Sequence, residues 1–298
     1  MQQPYLGNPF RATIRQKAVI RGKGVHSGET SSLTVEPAPI GTGLVFRPDR
    51  ADKGSIPVSP FYVTETANAV TLANEHWEVQ TVEHLLAACA VLGLTDAYFG
   101  ISATEIPIMD GSAEPFYEAI RAAGIEESST PVQPLVLRSP VWVVDRDRYV
   151  VALPSSVFET TYSIHYDHPL LSGQSVHLQL SNSVFTEEII RARTFGFLKD
   201  VEALRARGLA RGASEENAVV LTDSGYENEL RYNNECVRHK VLDLVGDLYL
   251  MNRPLVAHVI AHKAGHALDV RLAKKILTGA AMDELAQRKE MESLRHSA

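Results

Sequence analysis

The spacing of hydrophobic residues along the chain alternates between the two-residue period of strands and the longer period of helices. From Thr13 to Ala38 apolar and polar positions alternate, apart from a glycine-rich loop, RGKGVHSGE, that turns around His26. Short strand-like segments follow at residues 43–46, 56–58, 69–72 and 77–80. A helix with apolar residues on nearly every side is then predicted from Thr81 to Leu94, with Thr81 as its N-cap.

Three further elements close this first half of the chain. They are a strand in DAYFGISA, a turn at Asp110-Gly111, and a helix in AEPFYEAIRAAGI with Ser112 as its candidate cap. Residues 126–134, EESSTPVQP, are polar, contain proline and show no periodicity, so we interpret them as a linker. We therefore expect an N-terminal α+β domain at residues 1–126 and a C-terminal α+β domain at residues 135–298.

The second half repeats the order of strands followed by helices. Strands are predicted in PLVLRSPVWVVD, RYVVALP, TYSIHYDHP and HLQLS. Helices are predicted at residues 185–193, 198–207 and 238–251, with the strand AVVLTD before the last of them. The strand VAHVIAHKAGHALDV and a C-terminal helix complete the chain. The fold class is therefore α+β with two halves of similar layout, although no sequence repeat relates them.

The helix from Arg238 to Met251 combines apolar residues on most of its surface with one polar stripe. The stripe consists of His239, Asp243 and Asp247, which are spaced at i, i+4 and i+8 on one helical face. Burying such groups without partners costs roughly several kcal/mol, so they normally pair with each other or bind a metal. The stripe alone is compatible with a salt-bridge network or with a metal site, and a metal site needs a third ligand from elsewhere.

The helix from Thr81 to Leu94 carries its polar residues, Glu83 and His84, at its N-terminal end. Taken separately, Glu83 can be a capping carboxylate and His84 a core imidazole. Together with His239 and Asp243, however, His84 would complete a set of three ligands. Three protein ligands, an open coordination position and a neighbouring glutamate are the composition of a catalytic zinc site.

Composition limits the class of protein. The 298 residues are 45% hydrophobic and 22% charged, as in ordinary globular proteins, and the formal net charge of -7 argues against nucleic-acid binding. Cys89 and Cys236 lie in apolar helical patterns and are expected to be buried thiols, as suits a reducing cytoplasm. The N-terminal residues lack a signal-peptide pattern, and the longest apolar stretch is much shorter than the ~20 residues of a membrane span. We expect a cytoplasmic protein without a membrane span.

Five motifs in one order resemble the UDP-3-O-acyl-N-acetylglucosamine deacetylase family of Gram-negative bacteria, zinc enzymes that commit material to lipid A. The motifs are TVEHLLAACAVLGL, EIPIMDGSAEPF, RARTFGF, VRHKVLDLVGDLYL and HKAGHAL, within a similarity that runs from about Arg15 to Leu277. The resemblance implies two α/β-layer domains packed face to face with the active site between them. It also implies one Zn²⁺ per chain, with Fe²⁺ as an alternative. Separately, we expect the protein to be a monomer.

The resemblance implies a role for residues at matching motif positions. The metal ligands would be His84, His239 and Asp243, and Glu83 would be the general base. The remaining catalytic residues would be His266, Asp247 and Thr194: a catalytic histidine, the carboxylate that holds it, and the residue that binds the oxyanion. The products of the implied reaction are acetate and the free amino sugar nucleotide.

The same resemblance assigns residues to a nucleotide sugar with a fatty acyl chain. The substrate-binding residues would be Phe195, Lys240, Lys263, Tyr166 and Arg148. The segment 197–219 would be an insert that lines a passage for the acyl chain. Within it, Val201 and Leu204 fit either ordinary core contacts or the passage wall, and we expect the bulk of Leu204 and Leu209 to limit chain length.

When the family resemblance is set aside, the polar residues alone fit two other functions. One is a zinc amidase that acts on a different N-acetyl sugar or on a peptide. The other is a metal-stabilised binding protein, in which a fourth side chain closes the coordination sphere. Basic residues near the site and an apolar passage favour the nucleotide sugar over the first alternative.

Overall fold

The computed structural model describes the backbone at residues 3–48 and 51–296 and the side chains up to residue 282, except that of residue 51. In this part of the chain the helices are α1 (Glu83–Leu92), α2 (Glu114–Ala123), α3 (Asn182–Glu188), α4 (Val201–Ala206), α5 (Glu235–Tyr249) and α6 (His266–His296). None of its helices has the length and apolar character needed to cross a membrane.

The strands of the first half belong mainly to one five-stranded sheet and one three-stranded sheet. In chain order they are β1 (Phe10–Ile14), β2 (Ala18–Lys23), β3 (Thr30–Pro37), β4 (Leu44–Pro48), β5 (Ile56–Pro57), β6 (Val63–Glu65), β7 (Thr71–Ala73), β8 (Glu78–Gln80), β9 (Ala97–Ile101) and β10 (Ile125–Pro131). The larger sheet has the order β2-β3-β9-β4-β5, and the smaller one has the order β6-β7-β8.

The strands of the second half form another five-stranded sheet and two short pairs. They are β11 (Leu135–Val136), β12 (Val141–Asp145), β13 (Arg148–Leu153), β14 (Glu159–His165), β15 (Ser172–Gln179), β16 (Phe195–Phe197), β17 (Val219–Leu221), β18 (Leu255–Val256) and β19 (His258–His262). The sheet has the order β12-β13-β19-β14-β15, while β11 pairs with β18 and β16 with β17.

The two five-stranded sheets have the same pairing pattern, which the sequence did not reveal as a repeat. In each, a hairpin adds antiparallel to a central strand, β9 or β19, whose other neighbour, β4 or β14, is parallel to it. A second hairpin then completes the sheet. The α+β class with two similar halves is therefore confirmed, whereas the exact domain limits remain a prediction.

Helices α1 and α5 pack against each other in the centre of the molecule, and buried apolar residues of both halves form one continuous cluster. Gly246 permits this close approach, because a Cβ atom there would lie 2.1 Å from the carbonyl oxygen of Glu83. Tyr249 adds a hydrogen bond of 3.1 Å from its hydroxyl to the carbonyl of Leu94. The polar stripe of α5 is thereby held beside the N-terminal end of α1.

Two segments differ from the sequence interpretation. The predicted linker at residues 126–134 is wrong for most of its length, because β10 pairs antiparallel with β1. Its side chains are mostly exposed, so the strand is held by backbone bonds and has no apolar periodicity to reveal it. The predicted long strand at residues 256–270 is also wrong: β19 ends at His262, Lys263 has a φ of 49°, and α6 begins at His266.

Two helix starts also differ. Thr81 is not the N-cap of α1, because its φ is 62° and its hydroxyl donates to Glu105 Oε1 at 3.1 Å. Helix α3 begins earlier than predicted, where the Ser181 hydroxyl accepts a hydrogen bond from the Val184 amide at 3.2 Å. The Ser181 hydroxyl therefore caps α3, whereas the Thr81 hydroxyl bonds to a residue 24 positions away and leaves α1 without a side-chain cap.

Candidate active site

The three predicted metal ligands meet where α1 packs on α5. His84 Nε2 lies 3.6 Å from Asp243 Oδ1, and His239 Nε2 lies 3.2 Å from the same oxygen. The two imidazole rings are 5.0 Å apart at an angle of 88°. All three residues are buried, and one ligating atom from each lies within 4.8 Å of the others. The geometry therefore presents two imidazole nitrogens and a carboxylate oxygen to one point.

The hydrogen bonds around this cluster suit a metal. His239 Nδ1 donates to the carbonyl of Ala192 at 3.0 Å, which leaves Nε2 with its lone pair facing Asp243. Asp243 Oδ1 is buried and has no hydrogen-bond partner among the described residues. Buried polar atoms are normally paired, so an unpartnered oxygen between two imidazole nitrogens fits a divalent cation with nitrogen and oxygen ligands.

Charge at Asp243 is balanced by neighbouring groups. Burial alone would raise its pKa, but His239 and the Lys240 ammonium hold the pKa of Asp243 well below its usual value. Lys240 Nζ donates to Asp243 Oδ2 at 2.5 Å, and this leaves Oδ1 for the cluster. The carboxylate is thus kept ionised, as a metal ligand must be.

Glu83 lies beside this cluster and is almost completely buried. Its Oε2 accepts a hydrogen bond from the Val70 amide at 3.1 Å, while its Oε1 lies 4.0 Å from His266 Nε2. Burial raises the pKa of Glu83, and the charges of His266 and His84 oppose that rise. A carboxylate with a raised pKa next to candidate metal ligands has the properties of a general base.

His266 and Asp247 form the contact expected from the sequence. His266 Nδ1 lies 2.7 Å from Asp247 Oδ2, and Asp247 is completely buried. Burial alone would lower the pKa of His266, but the charge of Asp247 and this hydrogen bond raise it to about 10. The ring is therefore oriented by Asp247 and held as an imidazolium at neutral pH.

Asp269 is a buried acid near the site that the sequence analysis missed. It is completely buried, and neither of its carboxyl oxygens has a hydrogen-bond partner among the described residues. Burial first, and then the charge of Asp247, raise its pKa well above the usual value. Its position three residues after His266 on α6 was the available signal, since residues at i and i+3 share a helical face.

Replacing Asp269 with Asn is expected to stabilise the protein at neutral pH. When folding raises the pKa of an acid, the protein becomes less stable as pH rises from the acid's pKa in the unfolded state toward its pKa in the folded state. Asn does not titrate, so the variant does not have this loss. The unfolding temperature of the variant should therefore exceed that of the wild type at about pH 8, with a gap that shrinks toward about pH 4. Scanning calorimetry at both pH values measures this. A variant less stable by the same amount at both would show that the carboxyl itself is required.

Most of the predicted substrate residues lie around one large cavity of about 1010 Å³ that also contains the candidate ligands. The predicted residues in its lining are Thr194, Phe195, Tyr166, Arg148 and Lys240, together with Val201 and Leu204 of α4. Tyr166 and Phe195 meet edge to face with ring centres 5.7 Å apart. Arg148 is exposed and forms an ion pair with Asp145.

Two of the residues predicted to contact the substrate lie outside the lining of this cavity. Lys263 Nζ donates to Asp147 Oδ2 at 2.7 Å, so its ammonium is held by the β12–β13 turn. Leu209 follows α4, where its amide donates to the carbonyl of Leu204 at 2.9 Å, and it does not contribute to the wall. Although the two residues are joined by this bond, only Leu204 lines the cavity, which the sequence pattern did not indicate.

The glycine-rich loop brings His26 to the same cavity. Glu105, which sequence reasoning overlooked, anchors this loop: its carboxylate accepts hydrogen bonds from the amides of His26 and Ser27 at 2.9 and 2.8 Å and from the Ser27 hydroxyl at 2.6 Å. Gly24 is required here, because a Cβ atom would lie 2.1 Å from Glu105 Oε2. A buried carboxylate thus positions one wall of the site.

Comparison with known proteins places these residues in context. Residues 11–278 match the family described as UDP-3-O-acyl N-acetylglycosamine deacetylase. A UDP-3-O-acyl-N-acetylglucosamine deacetylase of Leptospira biflexa is 53% identical over 282 residues, covering 94% of this chain and 93% of the relative. Enzymes of the same name from Myxococcus xanthus (43% identical; 95% and 91% covered) and Pseudomonas entomophila (44% identical; 93% and 90% covered) are also similar.

Proposed function

We infer that this chain, which belongs to the UDP-3-O-acyl N-acetylglycosamine deacetylase family, hydrolyses the N-acetyl group of UDP-3-O-acyl-N-acetylglucosamine. The products are acetate and UDP-3-O-acyl-glucosamine, in the step that commits material to lipid A. The convergence of His84, His239 and Asp243 next to the buried carboxylate of Glu83 is the observation that carries this proposal. A metal-dependent amide hydrolase has such an arrangement of three ligands and a neighbouring base, whereas a structural metal site has a closed set of four ligands.

The proposed cofactor is one Zn²⁺ per chain, with Fe²⁺ as the alternative, held by His84, His239 and Asp243. When bound, such an ion supplies Lewis-acid polarisation of the amide carbonyl and makes a water molecule more acidic. The nitrogen and oxygen donor set and the unpartnered Asp243 Oδ1 support a borderline-soft divalent cation of this kind.

The chain's own residues divide the proton transfers. Glu83 accepts a proton from the attacking water while the oxygen of that water bonds to the acetyl carbon. The Thr194 hydroxyl, which lines the cavity, donates a hydrogen bond to the oxygen that becomes negative. His266, oriented by Asp247, donates its proton to the nitrogen as the carbon–nitrogen bond breaks. Acetate and a free amine result.

The cavity supports a substrate larger than an acetylated sugar. Its volume of about 1010 Å³ is at the upper end of ordinary ligand pockets. Arg148 supplies positive charge for the diphosphate, while Lys240 lines the cavity at the ligand cluster through its bond to Asp243. The rings of Tyr166 and Phe195 supply surfaces for uracil and sugar. For Lys263 to contact the substrate, its ammonium would have to leave Asp147.

Replacing Leu204 with Trp is expected to shift the substrate preference toward shorter acyl chains. Leu204 contributes to the cavity wall in the segment proposed as the acyl passage, and a larger side chain there would fill space that long chains use. Values of kcat/KM for substrates of graded chain length measure the shift. The matched control is Leu209→Trp in the same segment, which lies outside the wall and should leave the preference unchanged. An equal loss for every chain length would contradict the passage.

We propose that the enzyme acts in the cytoplasm as a monomer. Both cysteines are free and buried, which suits a reducing compartment. All three candidate metal ligands and Glu83 come from one chain, so no second copy is needed to complete the site. Sedimentation of the purified protein tests the monomer.

The proposed activity is tested by incubating the full chain with UDP-3-O-acyl-N-acetylglucosamine. Acetate and the free amine should appear in equal amounts by mass spectrometry. UDP-N-acetylglucosamine without the acyl chain, and N-acetylated peptides, should be much poorer substrates. Efficient turnover of these two would support a different amidase, and absence of acetate from all substrates would support a metal-stabilised binding protein.

A further inference from the structure

A second group of metal-ligating side chains lies on the C-terminal sheet, outside the cavity. It consists of Glu159 on β14, His177 on β15 and His258 on β19, and one ligating atom from each lies within 4.8 Å of the others. These three strands are hydrogen-bonded neighbours. Residues alternate between the faces of a sheet, and Thr160 is completely buried, so Glu159 points to the opposite, solvent-facing side.

The strand register explains why these side chains meet. Glu159 is the register partner of His258, and Thr161, two residues further on the same face, is the partner of His177. Directly paired residues on one face have Cβ atoms about 5 Å apart. The two imidazoles therefore approach each other across the middle strand, and their ring centres are 5.6 Å apart.

The Thr161 hydroxyl contacts the rings of both His177 and His258 and holds them in place. Its hydroxyl lies 2.9 Å from His177 Nδ1 and 2.9 Å from His258 Nε2. A hydroxyl donates one hydrogen bond at a time, so at least one of these nitrogens donates to it. With Nδ1 of His177 bound in this way, its Nε2 faces Glu159 Oε2 at 3.8 Å. The Ser155 hydroxyl fixes the other Glu159 oxygen by donating to it at 2.8 Å.

We propose that Glu159, His177 and His258 form a second binding site, for a divalent transition metal such as Zn²⁺. Two imidazoles and one carboxylate suit Zn²⁺, Cu²⁺ or Ni²⁺, whereas Ca²⁺ and Mg²⁺ prefer oxygen ligands. Thr161 contacts the second ring nitrogen of His177, where a metal-bound imidazole usually has a hydrogen-bonding partner that orients it. The bound ion joins the sheet's edge strand β15 to β14 and β19, so it stabilises that edge of the fold.

The ligands can reach metal-binding distances without movement of the backbone. The His177 ring is exposed, and Glu159 and His258 are half-buried, so their side chains can rotate. Ligand atoms in a tetrahedral zinc site are about 3.3 Å apart, given bonds of about 2.0 Å. The ligand atoms are at most 4.8 Å apart, so closing to this value requires shifts of no more than about 1.5 Å at the ends of side chains. Binding displaces the Thr161 hydroxyl from His258 Nε2.

The test is a zinc count on the full chain. Chelated wild-type protein is titrated with Zn²⁺ in equilibrium dialysis, and bound metal is measured by mass spectrometry. We expect two equivalents for the wild type, and one for the double variant His177→Ala/His258→Ala with the rate of acetate release unchanged. The matched control is His76→Ala, an exposed histidine elsewhere, which should retain two equivalents.

Two results would overturn the second site. The first is that the wild type binds a single equivalent, which would mean that Thr161 only holds a hydrogen-bonded pair of histidines. The second is that the double variant still binds two equivalents. Because a double variant can lose stability, His177→Gln at the exposed ring alone serves as the second variant and should also bind one equivalent. This zinc count does not depend on the proposed deacetylation. The His239→Ala variant lacks one ligand of the cavity site, and it should still bind one equivalent at the sheet site.

Discussion

The Glu83→Gln variant is expected to keep its bound metal and to lose turnover by about 10²-fold or more, the usual contribution of a general base. Glu83 is buried beside the candidate ligands, and its Oε1 lies 4.0 Å from His266 Nε2. Gln has nearly the same shape and can keep the contact with the Val70 amide, but its amide cannot accept the proton of water. Metal content and kcat of the same preparation are measured together.

The ligand variants provide the matched comparison for Glu83. His84→Ala, His239→Ala and Asp243→Ala should each lose metal at the cavity and turnover together, because each removes one of three converging atoms. The metal content of these variants should be measured in the His177→Ala/His258→Ala background, so that only the cavity can bind metal. If Glu83→Gln also emptied the cavity, Glu83 would be a ligand and the assignment of a separate base would be wrong.

The His266→Gln variant is expected to lower turnover and to remove the alkaline limb of the pH–rate profile. Burial alone would lower the pKa of His266, but Asp247 raises it to about 10, so the wild-type ring is an imidazolium until pH approaches that value. Activity that needs this proton is fully available below the pKa and is lost as pH rises through it. The wild-type profile should therefore be bell-shaped, with an alkaline limb that the variant lacks.

The pH profile separates a proton donor from a residue that only positions the substrate. His266→Gln should leave the metal bound, since His266 is not part of the ligand cluster. Asp247→Asn is the companion variant: it weakens the charge that raises the pKa of His266, so the alkaline limb should move to lower pH. An unchanged bell in His266→Gln would assign that limb to another group, such as Lys240, and leave His266 with a positioning role.

The sequence predicted the central cluster well because helical geometry is regular. The i, i+4, i+8 spacing of His239, Asp243 and Asp247 places them on one face of α5, and the structure brings His84 to that face. The short separation between α1 and α5 could not be predicted from the pattern. It depends on Gly246, whose role is visible only where the Glu83 carbonyl packs against it.

Residues whose role depends on loops or on long-range pairing were missed. Glu105 anchors the His26 loop through a contact 79 residues apart in the chain, and neither residue lies in a periodic segment. The strand β10 was mistaken for a linker because an exposed strand has no buried face to impose alternation. The cluster of Glu159, His177 and His258 depends on strand register, which turn and loop geometry determine.

The most direct test of the account is the metal dependence of acetate release by the full chain. Protein stripped of metal by a chelator should release no acetate from UDP-3-O-acyl-N-acetylglucosamine, and added Zn²⁺ should restore release in the wild type but not in Asp243→Ala. Chelated protein that retained full turnover, or an Asp243→Ala variant that zinc restored to the wild-type rate, would contradict the proposal that His84, His239 and Asp243 hold the catalytic metal.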